Sequence, residues 1–243
     1  MGNDELVGQI KAHLEKVFGQ RKYFALIYGS FANGMRNVGS DVDLCVITEE
    51  FSMKELAALI RFILDLHSRN KLKVDNEVPF ENKLMASYQD AEDASYMTGF
   101  EVRHEQIIIP PVEKSKNFLE SRAVKLRLIL NALTSPHIKM GNDLETYKKF
   151  KALAEKNTLL LAISLSFSDS FELDKLLQSL MIGRRGEEGE MYLGYKQYPS
   201  VQVYMKTWLQ KQGGKLAKIN KKNEWKKLVK EAKRRSVIVQ SMN

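Results

Sequence analysis

Two aspartates separated by one residue, Asp41 and Asp43, are the side chains in this sequence best suited to chemistry. They begin an apolar stretch, DVDLCVI, that is typical of a β-strand, and alternate side chains of a strand share one face. Two carboxylates held this close raise each other's pKa unless a cation lies between them, and hard divalent ions such as Mg²⁺ prefer such oxygen ligands. The pattern therefore predicts a metal site where the strand starts.

A second apolar stretch, YFALIY, ends in a Gly-Ser turn. Glycine lets backbone N–H groups approach a phosphate closely, and a short helix predicted to follow the turn would direct its positive end to the same place. A loop of small and basic residues then leads to the paired aspartates. Phosphates and metal would thus meet in one cleft, and the predicted phosphate-binding residues are Gly29, Ser30, Arg36 and Ser40.

These residues resemble the signature of nucleotidyltransferases of the DNA-polymerase-β type. That signature is a hydrophobic residue before Gly-Ser, about ten residues, Asp-hydrophobic-Asp-hydrophobic, and a third carboxylate on a later strand. The segments Tyr28-Gly29-Ser30 and Asp41-Val42-Asp43-Leu44 follow that order and spacing. Gly-Ser turns and solvated Asp-x-Asp strand ends are each common alone, so the combination carries the resemblance. It covers about a third of the chain.

The resemblance implies an enzyme that moves a nucleoside monophosphate from an NTP, ATP being the expected one, to a hydroxyl or similar nucleophile, with release of pyrophosphate. Asp41, Asp43 and a third carboxylate would hold Mg²⁺, with two ions expected. A third strand is predicted in LKVDNEVPF, whose polar face carries Asp75 and Glu77. Asp75 fits the pattern better because it follows a hydrophobic residue, and Glu77 is the alternative, as a substitute or as an acceptor-binding residue.

The predicted fold is an α+β or α/β nucleotidyltransferase domain at residues 1–112, a mixed sheet flanked by helices. An all-helical domain with a basic C-terminal tail is predicted at residues 113–243, since only helical patterns follow residue 115. Within the first domain, residues 81–94 are predicted to be helical, and residues 101–109 to form a fourth strand. This two-part plan resembles the antibiotic nucleotidyltransferases and similar small-molecule enzymes.

Some residues outside the motif have predicted roles as well. His67, in the last turn of a helix that begins after Ser52, is interpreted as a cation that complements the helix dipole. Lys83 and Gln89 are candidates to face the cleft. The single cysteine, Cys45, lies in the strand of the aspartates and is predicted to pack as a small apolar side chain.

Residues 183–199 form a long segment rich in glycine, charge and tyrosine. Long loops of this kind are often functional. Arg184 and Arg185 are predicted to bind the triphosphate or an anionic acceptor. A mobile surface loop without a role in the site is the alternative.

Composition and charge limit the classes of partner that the protein can have. The chain has 243 residues and a net charge of +8, and residues 201–243 alone carry twelve Lys or Arg against two Asp or Glu. That tail allows nucleic-acid binding, although a solvated helix face is the favoured interpretation. No apolar run is long enough for a membrane span, and the expected location is the cytoplasm. A small-molecule acceptor is favoured; an RNA- or protein-modifying enzyme and a non-catalytic interaction partner are the alternatives.

Overall fold

The computed structural model describes residues 3–32, 41–74, 78–103, 105–108, 117, 120–164 and 221–236. The strands are β1 (Tyr23–Tyr28), β2 (Asp43–Thr48), β3 (Met85–Ser87), β4 (Glu101–Arg103), β5 (Gln106–Ile108) and β6 (Ile138–Gly141). The helices are α1 (Asn3–Phe18), α2 (Gly29–Ala32), α3 (Met53–Arg69), α4 (Phe80–Lys83), α5 (Tyr88–Ser95), α6 (Arg122–Thr134), α7 (Leu144–Ser164) and α8 (Lys221–Arg235).

Four strands form one sheet in the order β3-β2-β1-β6. Strand β1 lies at its centre and pairs antiparallel with both β2 and β6, whereas β3 joins β2 in parallel. All six residues of β1 are buried, as expected for a central strand with both faces covered. The predicted mixed sheet flanked by helices is confirmed.

One face of the sheet packs against α1 and α3. The buried residues of α1 recur at helical spacing and meet the alternate side chains of β1 that point to this face, namely Leu6, Ile10, Leu14 and Phe18 with Tyr23, Ala25 and Ile27. Helix α3 adds Leu56, Leu59, Ile63 and Leu66 to the same cluster. Its N-terminus is fixed by a capping box, in which Ser52 and Glu55 bond each other's backbone N–H.

The opposite face packs against α5 and against helices from the second half of the chain. Phe24, Leu26, Cys45 and Ile47 point to this side and share one core with residues of α5, α6, α7 and α8. Burial raises the pKa of the Cys45 thiol to about 12, so the side chain is an apolar packing group, as the sequence predicts. The helical half therefore covers the face to which the odd-numbered side chains of β2 point.

The third strand of the sheet is not where the sequence predicts it. Residues 72–74 and 78 are not in a strand, and the third strand is β3, inside the stretch predicted to be helical from residue 81. After the single turn of α4, the Leu84 carbonyl accepts a hydrogen bond from Val46 N–H at 2.8 Å, which starts the parallel pairing with β2. Ser87 then caps α5 through a second capping box and ends the strand. Tertiary pairing overrides the helical pattern here.

Two other predicted elements also differ. The fourth strand at residues 101–109 is a hairpin of β4 and β5, because the backbone at Glu105 adopts a φ of 61° and reverses the chain. The prediction that only helices follow residue 115 is wrong at β6, which adds to the edge of β1. The predicted domain boundary at residue 112 and the predicted elements between residues 165 and 220 lie outside the described residues.

The C-terminal helix α8 packs on this core through its apolar side. Leu228, Val229 and Ala232 are buried, and the guanidinium of Arg235 lies 3.0 Å from Glu92 and 2.9 Å from Asp93. Those two carboxylates belong to α5, so an ion-pair cluster attaches α8 to the helix that follows β3. The lysines at positions 226, 227, 230 and 233 are exposed on the opposite side.

A partly buried histidine just before β6 contacts α7 and predicts a pH dependence of stability. The Nδ1–H of His137 donates to the Ser135 carbonyl at 2.7 Å, and the Tyr147 hydroxyl donates to its Nε2 at 2.7 Å. Burial lowers the pKa of His137, and burial has the same effect on His13 and His67. Below their ordinary pKa of 6.5 the unfolded chain therefore binds protons that the folded protein does not bind.

We expect the free energy of unfolding to fall as the pH is lowered from 7.5 to 5.5, by at most about 1.4 kcal/mol per pH unit for each histidine. His137→Gln removes one titrating group and should make the slope shallower. Denaturant titrations at several pH values measure both slopes. A stability that stays constant or rises over this range, or an unchanged slope in the variant, would contradict the prediction.

Candidate active site

The antiparallel register of β1 and β2 brings the two halves of the sequence motif together. Tyr28, the last residue of β1, pairs with Asp43, the first residue of β2. Gly29 follows at once with a φ of 71°, and a Cβ added to it would overlap the Oδ2 atom of Asp43. The turn and the carboxylate are therefore in direct contact, and only glycine leaves room for both.

Asp41, Val42 and Asp43 show the alternation that the sequence predicts. Val42 is buried at 4% exposure, whereas both aspartates are partly exposed. All three residues line one cleft, together with Tyr28 at the end of β1. The two carboxylates of the motif thus open into a single depression at the edge of the sheet.

Ser30 follows Gly29 directly, in the short helix α2 that Phe31 anchors in the core. Ser30 is 4% exposed, and its hydroxyl has no hydrogen-bond partner within the described part of the chain. A buried hydroxyl without a partner is costly in a folded protein. Ser30 therefore offers a hydrogen-bonding group at the predicted phosphate turn.

His67 contacts the motif, and its predicted role is wrong. Its Nε2 accepts a hydrogen bond of 3.2 Å from the backbone N–H of Val42, so this ring nitrogen carries no proton. Burial lowers the pKa of His67 more than the nearby Asp41 carboxylate raises it. The imidazole is thus a neutral acceptor and not a cation that complements the dipole of α3. His67 lies four residues after Ile63, on the buried face of the helix. This spacing is the feature of the sequence that indicates a buried imidazole.

The remaining walls of the cleft come from α4 and from the segment that follows α3. Lys83 and Val74 line it, and the ammonium of Lys83 lies 5.2 Å from the ring centroid of Phe80. Lys83 therefore brings a cation to the cleft, as predicted. The other candidate, Gln89, donates to Asp93 Oδ1 at 2.9 Å and does not line this cleft.

Several predicted site residues lie outside the described ranges: Arg36, Ser40, Asp75, Glu77, Arg184 and Arg185. No group of three His, Cys, Asp or Glu side chains suited to a metal occurs among the described residues. The donor set that is described, Asp41 and Asp43, consists of carboxylate oxygens, which fit a hard divalent cation such as Mg²⁺. The absence of a side chain at Gly29 leaves room for the Asp43 carboxylate itself.

Comparison with known families gives the activity class. Residues 8–96 match the family model described as a nucleotidyltransferase domain. The chain carries a nucleotidyltransferase domain. The match includes β1, the Gly-Ser turn, β2 and the paired aspartates, so the resemblance to the DNA-polymerase-β type and the predicted enzyme class are confirmed.

Comparisons with curated proteins and with solved structures returned no match. Among the residues that the structure describes, no helix has both the length and the apolar composition of a membrane span.

The contact between Gly29 and Asp43 predicts the effect of one methyl group. Gly29→Ala should displace the Asp43 carboxylate and abolish nucleotidyl transfer, because the new Cβ overlaps Oδ2 and the φ of 71° disfavours any side chain. Pyrophosphate release with NTP measures the loss.

Gly19→Ala is the matched control. Gly19 has a similar φ of 57°, but a Cβ there would meet no atom within 4 Å. This variant should lose about 1 kcal/mol of stability from backbone strain and keep its activity. Equal activities in the two variants would contradict the steric argument.

Proposed function

We propose that the protein is a Mg²⁺-dependent nucleotidyltransferase that moves a nucleoside monophosphate from ATP to a hydroxyl or similar nucleophile of a small-molecule acceptor. The nucleophile attacks the α-phosphorus, the bond between the α-phosphorus and its bridging oxygen breaks, and pyrophosphate leaves. The metal would be held by Asp41, Asp43 and a third carboxylate. When bound, it neutralises charge that develops on the phosphoryl oxygens.

The observation that carries this proposal is the contact between Gly29 and the Asp43 carboxylate. A phosphate at the Gly-Ser turn would lie beside the carboxylate that binds the metal. Such a phosphate would also give the buried Ser30 hydroxyl the hydrogen-bond partner that it lacks among the described residues. One ligand, a metal-bound polyphosphate, thus accounts for the positive φ at Gly29, the orientation of Asp43 and the buried hydroxyl.

The protein's own contribution is positioning, because phosphoryl transfer depends mainly on geometry and charge. The position of Asp43 is fixed because it is the first paired residue of β2. Asp41 lies two residues earlier in the chain, just before the strand begins. Lys83 brings positive charge to the cleft wall, where the polyphosphate would pass. Arg36 and Ser40, which lie in the sequence between the Gly-Ser turn and the paired aspartates, are proposed as further phosphate ligands.

The flanking residues favour Asp75 over Glu77 as the third carboxylate. Val74, which precedes Asp75, lines the cleft of Asp41 and Asp43. Val78, which follows Glu77, is buried with Val124 and Leu128 of α6 and does not line that cleft. We therefore keep Asp75 as the proposed residue that ligates a second metal or accepts the proton of the acceptor, and Glu77 as the alternative.

Arg184 and Arg185 are proposed to bind the triphosphate or an anionic acceptor. A small acceptor is favoured because the exposed lysines of α8 lie at the spacing of a solvated helix face, and in the described part of α8 the one aromatic residue, Trp225, packs against the core. Stacking proteins interleave basic residues with exposed aromatic side chains. A screen of acceptor pools with each NTP, read out by pyrophosphate release, tests the function and the base preference.

The paired aspartates give the sharpest test of the activity. Asp41→Asn and Asp43→Asn should each abolish pyrophosphate release while leaving the fold intact, because both side chains are partly exposed and removing their charge empties no core. Asp65→Asn is the control, since Asp65 is exposed on α3 and pairs with Arg69 on the same helix. Full activity in either motif variant, with the control unaffected, would refute the proposal.

The third carboxylate can be assigned by a pair of substitutions. Asp75→Asn should reduce turnover nearly as much as the substitutions in the motif, because it removes a ligand, whereas Glu77→Gln should be mild. The measurement is kcat at saturating NTP and metal for both variants. The reverse order of the two effects would assign the role to Glu77.

A further inference from the structure

The backbone N–H of Val42 lies between the two metal-binding aspartates and outside the reach of both neighbouring strands. The pairing of β1 with β2 begins at Asp43, opposite Tyr28, and β1 ends there. Strand β3 joins β2 only from Val46 onward. The segment formed by Asp41 and Val42 therefore precedes the ladder of the sheet and needs another anchor.

That anchor is the imidazole of His67, whose Nε2 accepts the Val42 N–H at 3.2 Å. His67 is 3% exposed, so water does not compete effectively for this hydrogen bond. Its helix α3 is fixed by a capping box at the start and packs on the sheet through Ile63 and Leu66. The acceptor thus sits on a rigid element, and rigid elements position active sites precisely.

The position of the hydrogen bond gives it a consequence for the metal site. Val42 is itself buried, and its backbone dihedrals set the direction of the Asp41 carboxylate relative to the Asp43 carboxylate. Without the acceptor, the buried N–H would be unsatisfied and the segment would rotate toward water. The two carboxylates would then lose their common orientation.

We infer that His67 is a positioning residue for the metal site: by holding the backbone N–H of Val42, it keeps Asp41 and Asp43 convergent on one cation. This inference rests on the proposed function, in which these carboxylates bind a divalent metal. His67 also lines the cleft, and in this role it acts through the backbone between the two ligands.

The test measures the affinity for Mn²⁺, which serves as the probe metal. Binding is detected as the loss of the electron paramagnetic resonance signal of free Mn²⁺. His67→Leu removes the acceptor and should weaken Mn²⁺ binding about tenfold, as groups that orient metal ligands generally do. His67→Gln places a carbonyl oxygen near the position of Nε2 and should restore most of the affinity. Thermal unfolding shows that each variant is folded.

His13→Leu is the matched control. His13 is a second imidazole that contacts α3, where it stacks on Phe62 with ring centroids 3.9 Å apart, and it does not line the cleft. Its replacement should change stability but leave Mn²⁺ affinity unaltered. A purely structural role for His67 would make the two leucine variants behave alike.

The outcomes separate this inference from the proposed function. Unchanged Mn²⁺ affinity in folded His67→Leu, or a His67→Gln variant as weak as His67→Leu, overturns the inference alone. Equal Mn²⁺ binding by the wild type and Asp43→Asn overturns the metal site and the inference with it.

The wild-type protein supplies a measurement that does not depend on the folding of any variant. The ¹⁵N spectrum of its imidazoles should show His67 with a bare Nε2 and a protonated Nδ1. The opposite tautomer would overturn the inference.

Discussion

The pairing of Tyr28 with Asp43 is the constraint on which the site depends. It places the last residue of one strand against the first residue of the next, so that the turn after β1 meets the carboxylate at the start of β2. A slip of one residue would move the Asp43 side chain to the other face of the sheet, because side chains alternate along a strand. The buried side chains on both faces of β1 fix the register, so the core determines the geometry of the site.

The second half of the chain covers the sheet face shared by Cys45, and charged groups fix it there. Asp90 and Asp93 on α5 face cations from two other helices: Arg122 contacts both, and Arg235 contacts Asp93. Burial raises the pKa of Asp90, but Lys125, Arg122 and the backbone N–H of the capping serine together hold it below its ordinary value. Both carboxylates are therefore structural ion-pair groups, and neither lines the cleft.

The central strands and the motif could be predicted from the sequence because their determinants are local. Each apolar run, alternating pattern or capping box involves residues that are close in the sequence. The Gly-Ser and Asp-x-Asp segments are recognised as one motif because of the spacing between them. Strands β3 and β6 have no such signal: each has three or four residues and depends on an edge supplied by a distant strand. The role of His67 was missed for the same reason, since its partner Val42 is distant in the sequence.

The place of β6 in the sheet bears on how the chain reaches its folded state during synthesis. One edge of β1 pairs with β2 soon after both are made, whereas the other edge pairs with residues 138–141 and stays open until they emerge. Contacts between distant residues slow folding, and an unpaired strand edge exposes the nascent chain to association with other chains. The strand that carries the Gly-Ser turn is thus completed late, by a segment outside the nucleotidyltransferase match.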